Sequence, residues 1–317
     1  MSHTHIHHSA RIVFRARVET GCMDERAALA LLARELEFAG DDAAIIDGLV
    51  ITTDMLHDRT DFPDGTTRYT AGWRAVGASL SDVAAMGAEA TATVAAYAAP
   101  EFDPEELLGF VRGARDVCER VDANYVGGDL DGHDEFTVTT TAIGHTDAPV
   151  PRSGARAGDL VCVTGTLGRS AAALEFFERG DAAALERANE LFRFEPRVAA
   201  GRTLAPHATA MMDSSDGLAR SLHQLADASD CGFAIESDSV PIAAALHEVA
   251  TDGDVLERAT TFGEDFELVV TLPESALEAV QAALDVDLTV LGQVTAADHG
   301  ITLDGEPLAD RGFTHGE

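Results

Sequence analysis

The chain has 317 residues, enough for two domains with cores of their own, and 46% of its residues are hydrophobic. No apolar run approaches the roughly 20 residues that span a bilayer, and no secretion signal opens the chain, so we expect a cytoplasmic protein that does not bind membranes. The 55 acidic and 22 basic residues give a net charge of −33, which argues against nucleic acid as a partner.

Every basic residue is an arginine, because the sequence contains no lysine. So acidic a surface is typical of halophilic proteins, since concentrated salt screens the repulsion between carboxylates. We therefore expect most acids to lie on a solvated surface. The missing lysine also excludes a G-x-x-x-x-G-K-[ST] loop, so a nucleotide site here would have to use metal ions and arginine.

The N-terminal 22 residues are predicted to be an extension outside the fold, resembling a tag or an alternative start. They include four closely spaced histidines, which could also bind a transition metal. Met23 is a plausible natural start and opens a helix predicted over residues 23–39.

A β-hairpin is predicted next, because two short apolar runs, residues 43–46 and 49–51, are joined by Asp-Gly. Such a turn brings the open ends of the hairpin together. The polar residues at those ends are Asp41, Asp42, Thr52, Thr53 and Asp54. Converging carboxylates repel one another unless a cation lies between them, which suggests a metal site. A hairpin with simply solvated ends explains the same pattern.

The rest of the first half alternates between helices and strands. A helix is predicted over residues 71–86, where Ser81 and Asp82 interrupt the apolar stripe. Further elements are predicted at 92–98 (strand), 104–121 (helix), up to 126 (strand) and 135–144 (strand). Asp129 follows two glycines, a pattern that allows the backbone to approach a ligand closely but is also found in plain turns.

A domain boundary is predicted near residues 147–153, which contain two prolines. We expect an N-terminal domain over 23–148 and a C-terminal α/β domain over 149–317. In the second domain, a strand at 209–212 leads into Asp213-Ser214-Ser215-Asp216-Gly217 and then a helix.

Acids therefore stand at several strand ends and helix edges, in numbers that suit Mg²⁺. The helix start after Ser215 offers backbone N–H groups to phosphate oxygens, and Arg152 lies beside a glycine-containing loop where it could bind phosphate. These features predict a Mg²⁺-dependent nucleotide or phosphate site.

The motifs, taken together, resemble those of the thiamine-monophosphate kinase family, in the superfamily of aminoimidazole ribonucleotide synthetase and selenophosphate synthetase. The resemblance extends from Met23 onward. The matching stretches are G-D-D-A-A (40–44), T-T-D-M-L (52–56), S-L-S-D-V-A-A-M-G (79–87), G-G-D (127–129), R-S-G-A (152–155), V-T-G (163–165), D-S-S-D-G-L (213–218) and G-E-D-F-E-L (263–268).

This resemblance implies ATP-dependent phosphorylation of thiamine monophosphate to thiamine diphosphate in a homodimer. It also implies an α/β (α+β) fold of two domains like that of aminoimidazole ribonucleotide synthetase, in which the N-terminal mixed sheets form a barrel across the dimer and the active sites lie in grooves at its interface. By motif position, several Mg²⁺ ions would be held by Asp42, Thr52, Thr53, Asp54, Asp82, Asp129, Asp213 and Asp216. ATP would contact Gly128, Asp129, Arg152 and Ser215, and the substrate would contact Asp61, Glu264 and Phe313.

The sequence departs from the family pattern at two positions. Asp61 stands where many members have a substrate-contacting histidine, and Leu130 replaces the usual threonine after Gly-Gly-Asp. Phe262 or Phe266 could take the place of Phe313. Two alternatives stay open: another ATP-dependent member of the superfamily, such as an aminoimidazole ribonucleotide synthetase-like enzyme, or a non-enzymatic acidic protein that binds divalent cations.

Overall fold

The computed structural model describes residue 28 and residues 31–36, 38–250 and 253–312. The predicted N-terminal extension, much of the predicted helix over 23–39, and Phe313 lie outside the described residues. In the described part of the chain, no helix is long and apolar enough to cross a membrane.

The first half of the chain forms a mixed five-stranded sheet in the order β1-β2-β5-β3-β4, with helices on one face. Only the β3–β4 pair is parallel. The strands are β1 (Ala44–Ile46), β2 (Leu49–His57), β3 (Glu89–Ala99), β4 (Asn124–Gly132) and β5 (Thr137–His145). The helices are α1 (Asp58–Asp61), α2 (Arg68–Ala85) and α3 (Pro104–Arg120).

The second half forms a seven-stranded sheet in the order β12-β11-β8-β10-β6-β9-β7. Its strands are β6 (Leu160–Thr164), β7 (Ala210–Asp213), β8 (Cys231–Ile235), β9 (Leu268–Leu272), β10 (Leu288–Ala296), β11 (Ile301–Leu303) and β12 (Glu306–Pro307). Its helices are α4 (Arg169–Arg179), α5 (Ala182–Phe192), α6 (Val198–Leu204), α7 (Leu218–Ser229), α8 (Ala244–Val249), α9 (Val255–Thr261) and α10 (Glu274–Ala283). The domain division between residues 148 and 149 stays a prediction; it falls in the segment that joins the two sheets.

The first hairpin has the predicted turn, but its second strand is longer than predicted. β2 continues to His57 because all nine of its residues pair with β5. Thr52, Thr53 and Asp54 therefore lie inside a strand rather than beyond its end. Successive residues of a strand point to opposite faces, so Thr53 cannot converge with its two neighbours.

The prediction that a strand ends at Val126 was also wrong. β4 runs through Gly127 and Gly128 to Gly132, beside β3. A Cβ atom at residue 128 would lie 1.7 Å from the carbonyl oxygen of Ala95. Glycine is thus required there for close strand packing, not for a turn.

Helix α2 lies between the two halves, and most of its residues are buried. The Thr67 side chain caps its N-terminus by accepting a hydrogen bond from the N–H of Thr70. Glycines let its neighbours approach: a Cβ atom at residue 113 would lie 1.9 Å from the carbonyl oxygen of Tyr69, and one at residue 201 would lie 2.1 Å from that of Ala84. The helix is consequently held from both domains, which fixes the position of its polar residues.

Candidate active site

Three acids from distant parts of the sequence meet beside the C-terminal half of α2. One carboxylate oxygen from each of Asp42, Asp82 and Asp213 lies within 4.8 Å of the others. Asp42 precedes β1, Asp82 lies on α2, and Asp213 ends β7 in the second sheet. Both halves of the chain therefore contribute to one acidic cluster.

Burial and mutual repulsion make this cluster costly for the protein alone. Burial, followed by the charges of Asp54 and Asp213, raises the pKa of Asp82 well above its ordinary value. Burial and the charge of Asp42 raise the pKa of Asp213. For both carboxylates, the hydrogen bonds and charges of the neighbouring residues do not offset the free energy of hydration that the charged form loses on burial. The cluster thus favours a bound cation.

Hydroxyl groups orient these carboxylates. Thr52 Oγ1 donates a hydrogen bond of 2.5 Å to Asp82 Oδ2, and Ser81 Oγ donates one of 2.6 Å to Asp213 Oδ2. Each bond uses one lone pair of the acid and leaves others for a ligand. The hydroxyls are therefore positioning groups for the acidic cluster.

Asp54 lies on the same face of β2 as Thr52, toward α2. It accepts a hydrogen bond of 2.5 Å from Ser79 Oγ, which also contacts Thr140 Oγ1 at 2.7 Å. Burial raises the pKa of Asp54, and the charge of Glu264 adds to this. Thr53 lies on the opposite face of the sheet, where it donates to the carbonyl oxygen of Thr140 at 2.8 Å.

Arg152 binds the acidic cluster through Asp42. Its Nη2 and Nε atoms lie 2.7 and 3.2 Å from the two oxygens of that carboxylate, a fork-like contact. Its backbone N–H donates to Asp41 at 3.1 Å. Burial and the charge of Asp42 raise the pKa of Asp41 to about 6. Arg152 therefore lies beside the acidic cluster, and its contact with ATP stays a prediction.

The two motif loops of the second half touch each other directly. The N–H of Glu264 donates to the carbonyl oxygen of Ser215 at 2.6 Å, and the N–H of Phe266 donates to that of Ser214 at 3.1 Å. Asp216 follows in the same turn, and α7 begins two residues later. Ser215, Asp216 and Glu264 therefore lie in two adjacent loops, and the first of these loops follows Asp213 directly.

Only one of the three acids in G-E-D-F-E-L faces the site. Glu264 is paired with buried Arg74 of α2 and keeps its side chain 32% exposed. Asp265 accepts from the N–H groups of Gly168 and Ser170 at the start of α4. Glu267 forms two 2.7 Å contacts with Arg197. The last two acids therefore hold the loop in place.

Gly128 and Asp129 lie apart from the acidic cluster. Their strand, β4, is three strands from β2, which corresponds to about 14 Å at ~4.8 Å per strand. Asp129 is exposed. Both residues line a cavity of about 280 Å³ whose other walls include the aromatic side chains Tyr97 and Tyr125. A mostly apolar cavity of this kind suits a flat organic ring.

Asp61 has a local structural contact. Its carboxylate accepts from the N–H of His57 at 2.7 Å and from Thr60 Oγ1 at 2.8 Å, so it closes the single turn of α1. Its contact with substrate stays a prediction. Phe313 lies outside the described residues, directly after Gly312.

Sequence reasoning missed two residues of the site. Ser79 stands three residues before Asp82, a spacing that places both on one helix face, and this was the available signal. No sequence signal indicated Arg74. A buried arginine within an apolar helix is recognised only by its partners, which here are distant in sequence: the Glu264 carboxylate and the carbonyl oxygen of Phe192.

Comparison with known proteins agrees with this architecture. Residues 40–146 match the N-terminal domain of AIR synthase related proteins, and residues 156–304 match their C-terminal domain. The chain is 64% identical to thiamine-monophosphate kinase of Halobacterium salinarum, covering 92% of this chain and 100% of that protein. It is 40% identical to the same enzyme of Methanospirillum hungatei, covering 87% and 92% of the two chains.

Solved structures show the same likeness. A structure of AaThiL complexed with AMPPCP and TMP superposes with a TM-score of 0.83 at 27% identity, covering 92% of this chain and 97% of that one. Thiamine-monophosphate kinase from Stenotrophomonas maltophilia gives 0.76 at 31% identity, covering 88% and 96%. The chain belongs to the AIR synthase related proteins and, within them, to the thiamine-monophosphate kinases.

Proposed function

We propose that this protein transfers the γ-phosphoryl group of ATP to thiamine monophosphate, giving thiamine diphosphate and ADP. The observation that carries this proposal is the buried cluster of Asp42, Asp82 and Asp213, in a chain 64% identical to a thiamine-monophosphate kinase. One structural relative holds AMPPCP and TMP, which matches the two substrates proposed here.

We infer that the acidic cluster holds Mg²⁺. The three carboxylates of the cluster supply the hard oxygen ligands that this ion prefers, and burial raises the pKa of Asp82 and of Asp213, as expected where negative charge is poorly compensated. Asp54 adjoins the cluster, whereas Thr53 and Asp129 point elsewhere and would need a different ion. When bound, Mg²⁺ would neutralise charge on the donor and acceptor phosphates.

The remaining contacts support a position for ATP. The aromatic-walled cavity beside Gly128 and Asp129 suits the adenine ring. Ser215 lies in the turn before α7, where backbone N–H groups can bind phosphate oxygens. Arg152 would provide a positive charge for the phosphates, shared with Asp42.

The proposed reaction needs alignment more than proton transfer. The acceptor is a phosphate monoester that is largely ionised at neutral pH, so its oxygen can attack the γ-phosphorus directly without a dedicated general base. A new oxygen–phosphorus bond forms as the bond to the bridging oxygen of ADP breaks. Arg152 would orient the phosphates, and Glu264 would contact the thiamine moiety.

We also propose that the protein is a homodimer. The face of the first sheet that points away from the helices exposes Ile46, Met55 and Val94, with exposed fractions of 46%, 54% and 37%. Exposed apolar residues on one face favour pairing with a second copy. Thr53 and Asp129 lie on this same face, at the proposed interface between two copies.

A cytoplasmic location is proposed as well. Cys118, Cys162 and Cys231 are free thiols in the described part of the chain, as expected in a reducing compartment.

The direct test is a product assay with ATP, Mg²⁺ and thiamine monophosphate in molar KCl. We expect thiamine diphosphate, and we expect Asp42→Asn to lower turnover at least about 100-fold, because several kcal/mol of charge stabilisation depend on the cluster. Circular dichroism verifies that the variant is folded. No product from the folded parent protein would refute the proposed function, and parent-like turnover by the variant would remove Asp42 from the mechanism.

Replacing one acid of the cluster is expected to stabilise the metal-free protein. Because folding raises the pKa of Asp82, the folded state binds more protons, and stability falls as pH rises above the ordinary pKa near 4. Asp82→Asn should raise the melting temperature at pH 8 by roughly 2–4 °C for each kcal/mol relieved. It should also abolish the further rise that Mg²⁺ produces.

The matched control for this experiment is Asp298→Asn, which removes an exposed acid whose side chain is 85% accessible. We expect it to leave both the metal-free melting temperature and the Mg²⁺ effect unchanged. A lower metal-free melting temperature for Asp82→Asn would show that the acidic cluster is not under electrostatic strain.

Sedimentation equilibrium in molar KCl tests the homodimer. We expect twice the chain mass of 33.3 kDa for the parent protein and the monomer mass for Val94→Asp, which places like charges on the proposed interface. The matched control is Leu108→Asp on α3, at a residue that is 55% exposed on another surface. A monomeric parent protein would contradict the proposal.

A further inference from the structure

The last residue of α7, Ser229, uses its hydroxyl group on a distant part of the chain. Ser229 Oγ accepts hydrogen bonds from the N–H groups of Gly154 and Ala155, at 3.1 and 3.2 Å. It donates one of 3.2 Å to the carbonyl oxygen of Arg152, 77 residues away in the sequence. One donated and two accepted bonds are the full capacity of a hydroxyl group. Ser229 therefore ties the end of α7 to residues 152–155, which we call the Arg152 loop.

The backbone of Arg152 is held on both sides. Its N–H donates to the Asp41 carboxylate at 3.1 Å, and its carbonyl oxygen accepts from Ser229. Directly before it, the carbonyl oxygen of Pro151 accepts from the N–H of Met211 in β7 at 3.1 Å. Asp41 belongs to the first half of the chain, and Met211 and Ser229 belong to the second. Both halves thus fix the position of the Arg152 loop.

The side chain of Arg152 starts from this fixed backbone and ends at the acidic cluster. Its guanidinium contacts Asp42, whose side chain is 1% exposed, yet 24% of the Arg152 side chain stays exposed. The exposed part offers N–H donors to a phosphate. Because a misplacement of about 1 Å can slow an enzyme roughly 100-fold, the position of the backbone matters for such a contact.

We propose that Ser229 is a positioning residue for nucleotide binding. By holding the Arg152 loop, its hydroxyl sets the backbone from which the Arg152 guanidinium reaches the phosphates of ATP. Ser229 acts through the loop and touches neither substrate. It lies outside the motifs that resemble those of the kinase family, at the opposite end of α7 from the turn that contains Ser215. This inference rests on the proposed function, in which Arg152 contacts ATP.

Titration calorimetry with AMPPCP, at saturating Mg²⁺ in molar KCl, tests the proposal. We expect Ser229→Ala to raise the Kd for AMPPCP about fivefold and the KM for ATP by the same factor, because a loosened loop places Arg152 less accurately. The KM for thiamine monophosphate should stay within about twofold of the parent value. Ser229→Thr keeps the hydroxyl group and should recover most of the affinity.

A double-mutant cycle separates a role through Arg152 from a general structural role. Arg152→Gln alone should raise the Kd for AMPPCP at least about tenfold, because a charged contact to phosphate is lost. Adding Ser229→Ala to Arg152→Gln should then change the Kd by less than about twofold, since the two residues act as one unit. A general structural role would give the same loss in both backgrounds.

The matched control is Ser237→Ala. Ser237 is also a half-buried serine of the second domain, and its Oγ donates to Asp304 at 2.6 Å. It follows β8, which lies four strands from β7 in the second sheet. We expect the Kd for AMPPCP and both KM values of this variant to stay within about twofold of the parent values.

Three results would overturn the inference: parent-like AMPPCP binding by Ser229→Ala, parent-like binding by Arg152→Gln, or an undiminished effect of Ser229→Ala in the Arg152→Gln background. The parent enzyme is assayed first. A parent that makes no thiamine diphosphate refutes the proposed function itself. An active parent with any of the three results refutes the role of Ser229 and leaves the proposed reaction standing.

Discussion

The structure depends on holding several negative charges together away from water. Asp42, Asp82 and Asp213 place carboxylate oxygens within 4.8 Å of one another, and burial raises the pKa of the last two. Serine and threonine hydroxyls orient the acids but do not neutralise them. Arg152 compensates part of the charge through Asp42. Strain of this kind is typical of functional sites, because the ligand that completes the site also relieves the strain.

Helix α2 makes this arrangement possible by joining the two sheets. Its C-terminal half provides Ser79, Ser81 and Asp82, while Arg74 nearer its start binds Glu264 of the second domain. The same helix thus orients the proposed metal ligands and a proposed substrate contact. The turn that contains Ser215 and Asp216 contacts both Glu264 and Gly312. The active site is consequently framed by contacts between domains, and a shift of either domain would disturb it.

Much of this site could be predicted from the sequence, and the reasons differ between residues. Asp-Gly specified the first hairpin, and the motif acids identified the cluster, because both are local patterns. The length of β2 was missed, since only its pairing with β5 reveals that Thr53 faces away from Asp54. The predicted end of β4 came too early, because a glycine that allows close packing against Ala95 cannot be told from a turn glycine by sequence alone. Arg74 was missed because its ion pair with Glu264, which lies far away in the sequence, leaves no local signal.

If the acidic cluster is a specific Mg²⁺ site, a bound nucleotide should strengthen it. Titration calorimetry with Mg²⁺ in molar KCl, with and without a non-hydrolysable ATP analogue, measures this effect. We expect a small number of sites whose affinity for Mg²⁺ rises when the analogue is present, since nucleotide phosphates supply further oxygen ligands. Many weak, equivalent sites that ignore the nucleotide would contradict this expectation and would indicate a surface that only buffers divalent cations.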